Sequence, residues 1–360
     1  MRKMILLVLA LSLLLCGCGA EPASTTEATE ATEAVTTEAT TEPTTAPTTE
    51  PAPVYTNPLN GYELEEPFTG RVYAVTISNV ADALPHVGMA EADVYMEMFV
   101  NGSIIRGLAL YTDIAHTASI GSVRSTRLMF NDITEHYDLI LSHAGGSSQV
   151  MTDAKNRGID HMSVDTWDSY EFGASFRDDY RKRNIGYEHS LLAKGDMLES
   201  FAETKGFDLT RPEDKDYGLL FTEDGTPAEG ETAETIKITF KYRNTLKDTT
   251  MVYDAELGKY VYNQYGKTML DGLTQAPEAF ENVVVMHTDV TTNGIYYVAD
   301  FVAGGTGYYA CGGKLIPLTW TCDGEDQPFR FFTESGEPLA FGVGNTYIAI
   351  APVDSPVVCE

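Results

Sequence analysis

Basic residues are scarce in this chain of 360 residues, which carries 24 lysines and arginines against 53 aspartates and glutamates. The formal net charge of -29 argues against nucleic acid as a partner, because neutralising phosphates requires clustered Lys and Arg side chains. A general affinity for anionic membrane surfaces is disfavoured for the same reason. With 43% hydrophobic residues, the chain still has enough apolar material for a large core and two domains of ordinary size.

The amino terminus lacks an apolar run long enough for a transmembrane helix, because its run at residues 4–15 is too short. This run follows two basic residues and ends in Leu-Cys-Gly-Cys at residues 15–18, which resembles a bacterial lipobox. The pattern predicts a lipoprotein signal peptide over residues 1–17, with acyl chains such as palmitate on Cys18. The alternative is an ordinary signal peptide with a coincidental cysteine. With lipidation, the mature chain is expected on the outer face of the cell membrane, anchored by Cys18.

Residues 19–70 contain no Lys, Arg or His, and residues 20–54 consist mainly of Thr, Glu, Ala and Pro in near-repeats. No apolar face exists there at any period, so the segment cannot bury enough surface to offset its ordering entropy. We therefore expect a disordered, self-repelling tether over residues 18–56.

Metal-binding and cofactor-binding signatures are also missing. Beyond the lipobox the chain has only Cys311, Cys322 and Cys359, without the Cys-x-x-Cys or Cys/His spacing of a structural zinc site. Walker, dinucleotide-binding, His-Glu-x-x-His and Gly-x-Ser-x-Gly signatures do not occur either. We expect no metal and no cofactor.

The pattern of residues 57–206 alternates between short apolar runs and helical spacing, which predicts an α/β layered domain. A helix behind a Ser125 N-cap is expected there, among other elements. The strands are predicted at residues 72–77, 94–99, 104–111 and 139–141, and the helices at residues 125–137, 147–156 and 191–203.

Residues 207–231 are rich in turn-forming and charged residues and read as a linker, after which residues 232–360 follow a β pattern. Asn293–Gly294 and Gly312–Gly313 are hairpin signals. The expected fold class is α+β, an α/β layered domain followed by a mostly antiparallel β-rich domain. Its strands are predicted at residues 235–242, 251–253, 259–262, 282–287, 294–302, 307–311, 314–321, 329–332 and 346–351.

Two glycine-containing loops, at residues 119–127 and 142–148, each join a predicted strand to a predicted helix. Such loops direct backbone N–H groups at one spot, and the helix dipole favours an anion there. Arg124 and Arg127 could grip a carboxylate or phosphate, or could instead pair with neighbouring Asp and Glu residues. The predicted ligand-binding residues are Arg106, Arg124, Ser125, Arg127, His143, Gly145, Gly146, Ser147, Arg177 and His189.

His143 is the candidate for catalysis, as a base acting with Ser147 or a carboxylate. The alternative is a histidine that orders its loop through hydrogen bonds. The carboxylates considered as acid or base partners are Asp93, Glu97 and Asp132.

Several stretches of the chain resemble the YerB-like family of Gram-positive lipoproteins, which pairs an α/β domain of unknown function with a C-terminal β-rich domain. The most specific stretches are residues 120–127 and 143–147. The chain departs from the family pattern at residues 84–88, and it has Tyr347 where a tryptophan is common. Of the family's Pro-His-Asn stretch only His189 carries over. The other matching stretches are residues 57–61, 75–79, 92–97, 105–108, 282–285, 305–308, 313–314, 318–320 and 344–348.

The resemblance implies a fold and an extracytoplasmic location, and it supplies no established activity. The leading hypothesis is a lipoprotein that binds an anionic envelope component, such as a peptidoglycan fragment or its peptide carboxylates. One alternative is a cell-wall hydrolase that uses His143. Another is an interaction scaffold whose β-rich domain docks an envelope protein, although the sequence identifies no such partner.

Overall fold

The computed structural model describes residues 53–360, which form one compact unit. The predicted signal peptide, Cys18 and nearly all of the predicted tether lie outside the described residues. No helix between residues 53 and 360 combines the length and the apolar character needed to cross a membrane.

The helices and strands of the described residues are numbered in chain order. The α-helices are α1 Leu128–Tyr137, α2 Ser148–Arg157, α3 Trp167–Phe172, α4 Asp179–Asn184 and α5 Gly195–Thr204. The strands are β1 Tyr55–Thr56, β2 Glu63–Leu64, β3 Tyr73–Ser78, β4 Val94–Asn101, β5 Ile104–Tyr111, β6 Ile120–Gly121, β7 Ile140–His143, β8 His161–Ser163, β9 Ser175–Arg177, β10 Leu191–Ala193, β11 Leu220–Thr222, β12 Glu231–Thr232, β13 Thr235–Tyr242, β14 Thr245–Asp254, β15 Lys259–Gln264, β16 Lys267–Thr268, β17 Ala279–Phe280, β18 Asn282–Thr288, β19 Val290–Asn293, β20 Tyr296–Ala299, β21 Gly305–Cys311, β22 Lys314–Cys322, β23 Phe329–Thr333, β24 Ala340–Gly342, β25 Thr346–Pro352 and β26 Val357–Cys359.

A 13-stranded sheet runs through the described unit, with the main path β12-β22-β21-β18-β25-β4-β5-β3-β7-β8. Strand β25 lies at its centre and pairs in parallel with β18 on one side and β4 on the other. All seven residues of β25 are buried, as expected for a strand covered on both faces. The early and the late parts of the chain therefore share one continuous sheet.

A second, six-stranded sheet has the order β16-β15-β14-β13-β26, with β17 paired to β15. Burial alternates along β13, where Ile236, Ile238 and Phe240 are buried and the residues between them are more exposed. This period of two gives the sheet one face toward the core and one toward solvent.

The predicted mixture of helices and strands is confirmed. Strands β5 and β13 have the predicted bounds, and both glycine hairpins form, since Asn293 pairs with Tyr296 and Cys311 with Lys314. The domain boundaries at residues 57–206, 207–231 and 232–360 and the layered arrangement stay predictions. The thiols of Cys311, Cys322 and Cys359 are free.

Two local predictions were wrong. Helix α1 begins at Leu128 with Arg127 at its N-cap, because Ser125 and Thr126 use their backbone groups to bind neighbouring side chains and the Gly145 loop. Residues 191–193 form a strand rather than the start of a helix, because they pair with both β6 and β9.

Candidate functional site

The candidate site lies at one edge of the 13-stranded sheet, where β3, β7 and β8 end. These three strands are parallel, so their carboxyl ends meet at this edge. Arg106, near the start of antiparallel β5, lies opposite Ser78 at the end of β3. We call this region the arginine edge and define it by Arg106, Arg124 and Arg127.

The two glycine-containing loops predicted to form the site are hydrogen-bonded to each other. The amide of Ala144 donates to the carbonyl of Arg124 (2.9 Å), and the amide of Thr126 donates to the carbonyl of Gly145 (2.9 Å). Gly145 has a φ of +68°, in the left-handed region, and its amide donates to Ser163 Oγ at the end of β8 (3.0 Å). The loops are thereby fixed side by side.

Two guanidinium groups converge on the carbonyl of Ser125. Arg106 Nη1 donates to this oxygen at 2.6 Å, and Arg127 Nη1 donates to it at 3.3 Å and to the Thr126 carbonyl at 2.7 Å. Arg127 Nε also donates to Asn101 Oδ1 at the end of β4 (3.0 Å). The backbone of the first loop thus holds both side chains in place.

Neither of these two arginines has an acidic partner. Among residues 53–360, no carboxylate oxygen lies within 4.0 Å of the nitrogens of Arg106 or Arg127, although Arg106 is only 3% exposed. Burial, followed by the nearby positive charges of Arg127 and Arg124, lowers the pKa of Arg106 to about 9. Burial also lowers the pKa of Arg127. Arg106 and Arg127 therefore form a local excess of positive charge in a protein whose net charge is strongly negative.

Arg124 is partly neutralised. Its Nη2 lies 3.2 Å from Glu188 Oε2, and its Nη1 donates to the Glu188 carbonyl at 3.0 Å. The other carboxylate oxygen of Glu188 lies 3.3 Å from Nε2 of His189, whose pKa burial lowers. The predicted site residues Arg124 and His189 therefore meet through one glutamate.

Arg177 is bound on both sides. Its Nη2 donates to Asp165 Oδ1 (2.6 Å), and its guanidinium lies 4.1 Å from the centre of the Tyr187 ring. Arg177 Nη1 also donates to the Tyr187 carbonyl at 2.8 Å. We therefore assign Arg177 to holding neighbouring residues rather than to open anion binding.

His143 at the end of β7 is fully buried and lies 3.0 Å, Nε2 to Nδ1, from His161. Burial, followed by the proximity of His161, lowers the pKa of His143 to about 3. Its Nδ1 has no hydrogen-bond partner within the described part of the chain. The hydrogen-bond partner of His143 is thus another histidine, whereas the hydrolase hypothesis expects Ser147 or a carboxylate as the partner.

Ser147 caps helix α2, because its Oγ accepts a hydrogen bond from the amide of Val150 (3.4 Å). Gly146 packs closely on that helix, and a Cβ there would lie 2.9 Å from Met151 Sδ. Both residues have structural tasks that place the start of α2 beside the arginine edge.

Each of the three candidate carboxylates interacts with residues outside the predicted site. Asp93 accepts from the Thr112 amide (2.6 Å), and Asp132 pairs with Arg157 (2.7 Å), although burial raises the pKa of Asp132 to about 6. Glu97 lies in a buried polar network. None of these three carboxylates is hydrogen-bonded to the predicted site residues.

Sequence reasoning missed several residues at this edge. Asn101, His161, Ser163 and Tyr187 hold the predicted site residues through the contacts described above. They lie in strand ends and in a short turn, without any motif. Their positions could have indicated two of them, because Asn101 and Ser163 are the last residues of strands whose carboxyl ends lie at this edge.

Comparisons with known proteins agree with this fold. Profiles described as the N-terminal and the C-terminal domain of a protein of unknown function (DUF3048) match residues 59–208 and 236–348. The protein named "Putative lipoprotein YerB" from Bacillus subtilis (strain 168) is 27% identical over 301 residues, which are 82% of this chain and 86% of the relative. The crystal structure of YerB from Bacillus subtilis matches with a TM-score of 0.70 at 23% identity, covering 84% of this chain and 99% of that one.

Proposed function

The chain belongs to the DUF3048, YerB-like family, and from this premise we propose that it is an extracytoplasmic lipoprotein that binds an anionic envelope component at the arginine edge. The proposed ligand is a peptidoglycan fragment or a similar molecule that carries carboxylates. The lipobox and the lipoprotein name of the relative support anchoring through Cys18 to the outer face of the membrane.

The observation that carries the proposal is the missing counter-charge at Arg106 and Arg127. A buried guanidinium is normally paired, because desolvating an unpaired charge costs several kcal/mol. Here the buried Arg106 and the partly buried Arg127 lie together in a chain of net charge -29, and no carboxylate of residues 53–360 lies within 4.0 Å of either guanidinium. A bound carboxylate would supply the missing partner and could accept hydrogen bonds from both guanidinium groups.

The experiment compares the double variant Arg106→Met/Arg127→Met with wild type for binding to purified, soluble peptidoglycan fragments. Methionine keeps much of the volume but removes both charges. Losing charged hydrogen bonds in a buried contact costs about 2–5 kcal/mol, so we expect binding to weaken at least ~30-fold. Wild-type binding should also weaken as the salt concentration rises.

The control is Arg330→Met, which makes the same type of substitution at one arginine, in a half-exposed pair with Asp216. Its binding should equal that of wild type. Binding by the double variant that is as tight as wild type would contradict the proposal. A single Arg124→Ala change should have a smaller effect, since Glu188 already neutralises part of that charge.

The hydrolase alternative has less support. A serine nucleophile needs a free hydroxyl beside a base, and the Ser147 hydroxyl faces the amide of Val150 instead. A histidine whose pKa lies near 3 is also a weak base at neutral pH. Binding without turnover is therefore the function that the site supports best.

A further inference from the structure

Two large aromatic side chains are exposed on segments that contact residues of the predicted site. Trp167, the first residue of α3, is 74% exposed, and Tyr187 is 61% exposed. Tryptophan is highly buried on average, so an indole this exposed is unusual. The only other tryptophan, Trp320, is 1% exposed, so the contrast lies within one chain.

Tyr187 is held as a rigid platform. The guanidinium of Arg177 covers one face of its ring at 4.1 Å, and Arg177 is itself fixed by Asp165. Tyr170 OH donates to the same Asp165 oxygen. With 61% of the residue still accessible, a ligand can reach the ring without first ordering it.

The platform is joined directly to the arginine edge. Glu188, the residue after Tyr187, binds Arg124 through both its carbonyl and its carboxylate. Trp167 follows Asp165 by two positions, so the segment that fixes Arg177 also presents the indole. Both aromatic residues are therefore linked to Arg124 or Arg177 through short stretches of chain and direct contacts.

The surroundings of the two rings are charged rather than aliphatic. Asp165 and Glu188 are each more than one-third exposed, and Lys182 Nζ lies 5.7 Å from the Tyr187 ring. A protein partner would be expected to meet a more apolar patch core. A ligand with apolar faces and hydroxyl-bearing edges fits better, and a sugar ring has this form: its C–H face packs on the aromatic ring and its hydroxyls bond to carboxylates.

We infer that the ligand is an acidic glycan fragment, whose sugar rings stack on Trp167 and Tyr187 while its carboxylate is held by Arg106 and Arg127. This inference rests on the proposed anion binding. It adds the carbohydrate as the part of the ligand that the aromatic platform recognises.

The test uses the mature protein and two probes that differ only in sugar. One is a disaccharide-peptide released from peptidoglycan by a muramidase, and the other is the same peptide freed from its sugars by an amidase and then acetylated at its new amino terminus, so that the two carry the same charge. Wild type should bind the disaccharide-peptide about tenfold more tightly. The variant Trp167→Ala/Tyr187→Ala should lose that difference and bind both probes as wild type binds the free peptide.

Trp167→Phe keeps an aromatic ring and should retain most of the preference for the disaccharide-peptide. Tyr62→Ala, at a 50% exposed tyrosine on a different loop, is the matched control and should leave the preference unchanged. The disaccharide-peptide should also protect wild-type tryptophan fluorescence from acrylamide, because Trp167 is the exposed indole of the two.

Equal binding of the two probes by wild type, or an unchanged preference in Trp167→Ala/Tyr187→Ala, would overturn the glycan inference. Anion binding would still stand if Arg106→Met/Arg127→Met then lost both probes. If wild type bound neither probe, the proposed function itself would fail. A shift from dimer to monomer in the aromatic variant, with no sugar preference in wild type, would assign the platform to a second copy of the chain.

Discussion

Two groups of buried charged side chains differ in how completely their hydrogen bonds are made. Glu97, which is fully buried, accepts hydrogen bonds from Asn79 Nδ2 (2.7 Å), Thr249 Oγ1 (2.9 Å) and the hydroxyls of Tyr262 and Tyr347. It is also paired with Lys247. Arg106 is almost as buried, yet it has one carbonyl acceptor and two positive neighbours.

The difference separates a structural role from a binding role. The partners of Glu97 come from several strands, including β14, β15 and β25, so the network ties the six-stranded sheet to the centre of the large one. Burial lowers the pKa of Lys247 although the charge of Glu97 opposes this. A charge with all its partners in the fold stabilises the fold, whereas an incomplete set leaves capacity for a ligand.

The largest effect should come from breaking the complete network. Glu97→Leu leaves the ammonium of Lys247 buried without its anion, so we expect a loss of about 3–5 kcal/mol in the free energy of unfolding, measured by urea denaturation. The double variant Glu97→Leu/Lys247→Met removes both charges and should recover part of this loss. A double variant less stable than Glu97→Leu would contradict the role of the pair.

The next effect should be a pH dependence of stability, caused by His143 beside the arginine edge. The pKa of folded His143 is about 3, below its ordinary value of 6.5, so between these values the unfolded chain binds a proton that folded His143 does not. Stability contributed by the neutral ring is full above pH 6.5 and falls as the pH falls, by up to about 1.4 kcal/mol per pH unit.

His143→Gln should therefore reduce the difference between urea midpoints at pH 6.5 and pH 4.5. Burial lowers the pKa of His136 to about 4, so this residue contributes to the pH dependence in the same direction. The midpoint difference of His143→Gln is therefore expected to be smaller than that of wild type, but not zero. His116→Gln is the control, because Asp113 raises the pKa of this highly exposed side chain, and the variant should therefore not reduce the wild-type difference. An identical difference in His143→Gln would show that His143 titrates normally.

The smallest effect on stability should come from Arg106→Met. One hydrogen bond to Ser125 is lost, but a desolvated charge beside Arg124 and Arg127 is also removed, so we expect a change within about 1 kcal/mol in the same urea assay. A loss of more than about 3 kcal/mol in the free energy of unfolding would show that Arg106, like Glu97, has a structural role, and would contradict the distinction between the two groups.

Patterns within short stretches were predictable from the sequence. The periods of β5 and β13 and the glycine turns at Asn293–Gly294 and Gly312–Gly313 are local signals, and each element formed where expected. The two loops of the arginine edge also contained enough glycine and arginine to be singled out. Their direct contact, from Thr126 to Gly145, follows from strands that end at the same edge.

Contacts between distant parts of the chain were not predictable in this way. Glu97 was considered as an acid or base partner, but nothing local points to Lys247, which lies 150 residues away. Tyr347, where the family pattern has a tryptophan, was noted as a departure. Its hydroxyl donates to Glu97, a contact that becomes visible only when β25 is placed beside β4.

The central position of β25 has a consequence for the order in which the chain is made. Synthesis proceeds from the amino terminus, so β4 and β18 emerge well before residues 346–352, which join them. Until then both strands have an open edge with unpaired amides and carbonyls, which is prone to pair with other chains. A chain that stopped before Thr346 would have its large sheet divided in two, so this fold cannot close until residues 346–352 have been made.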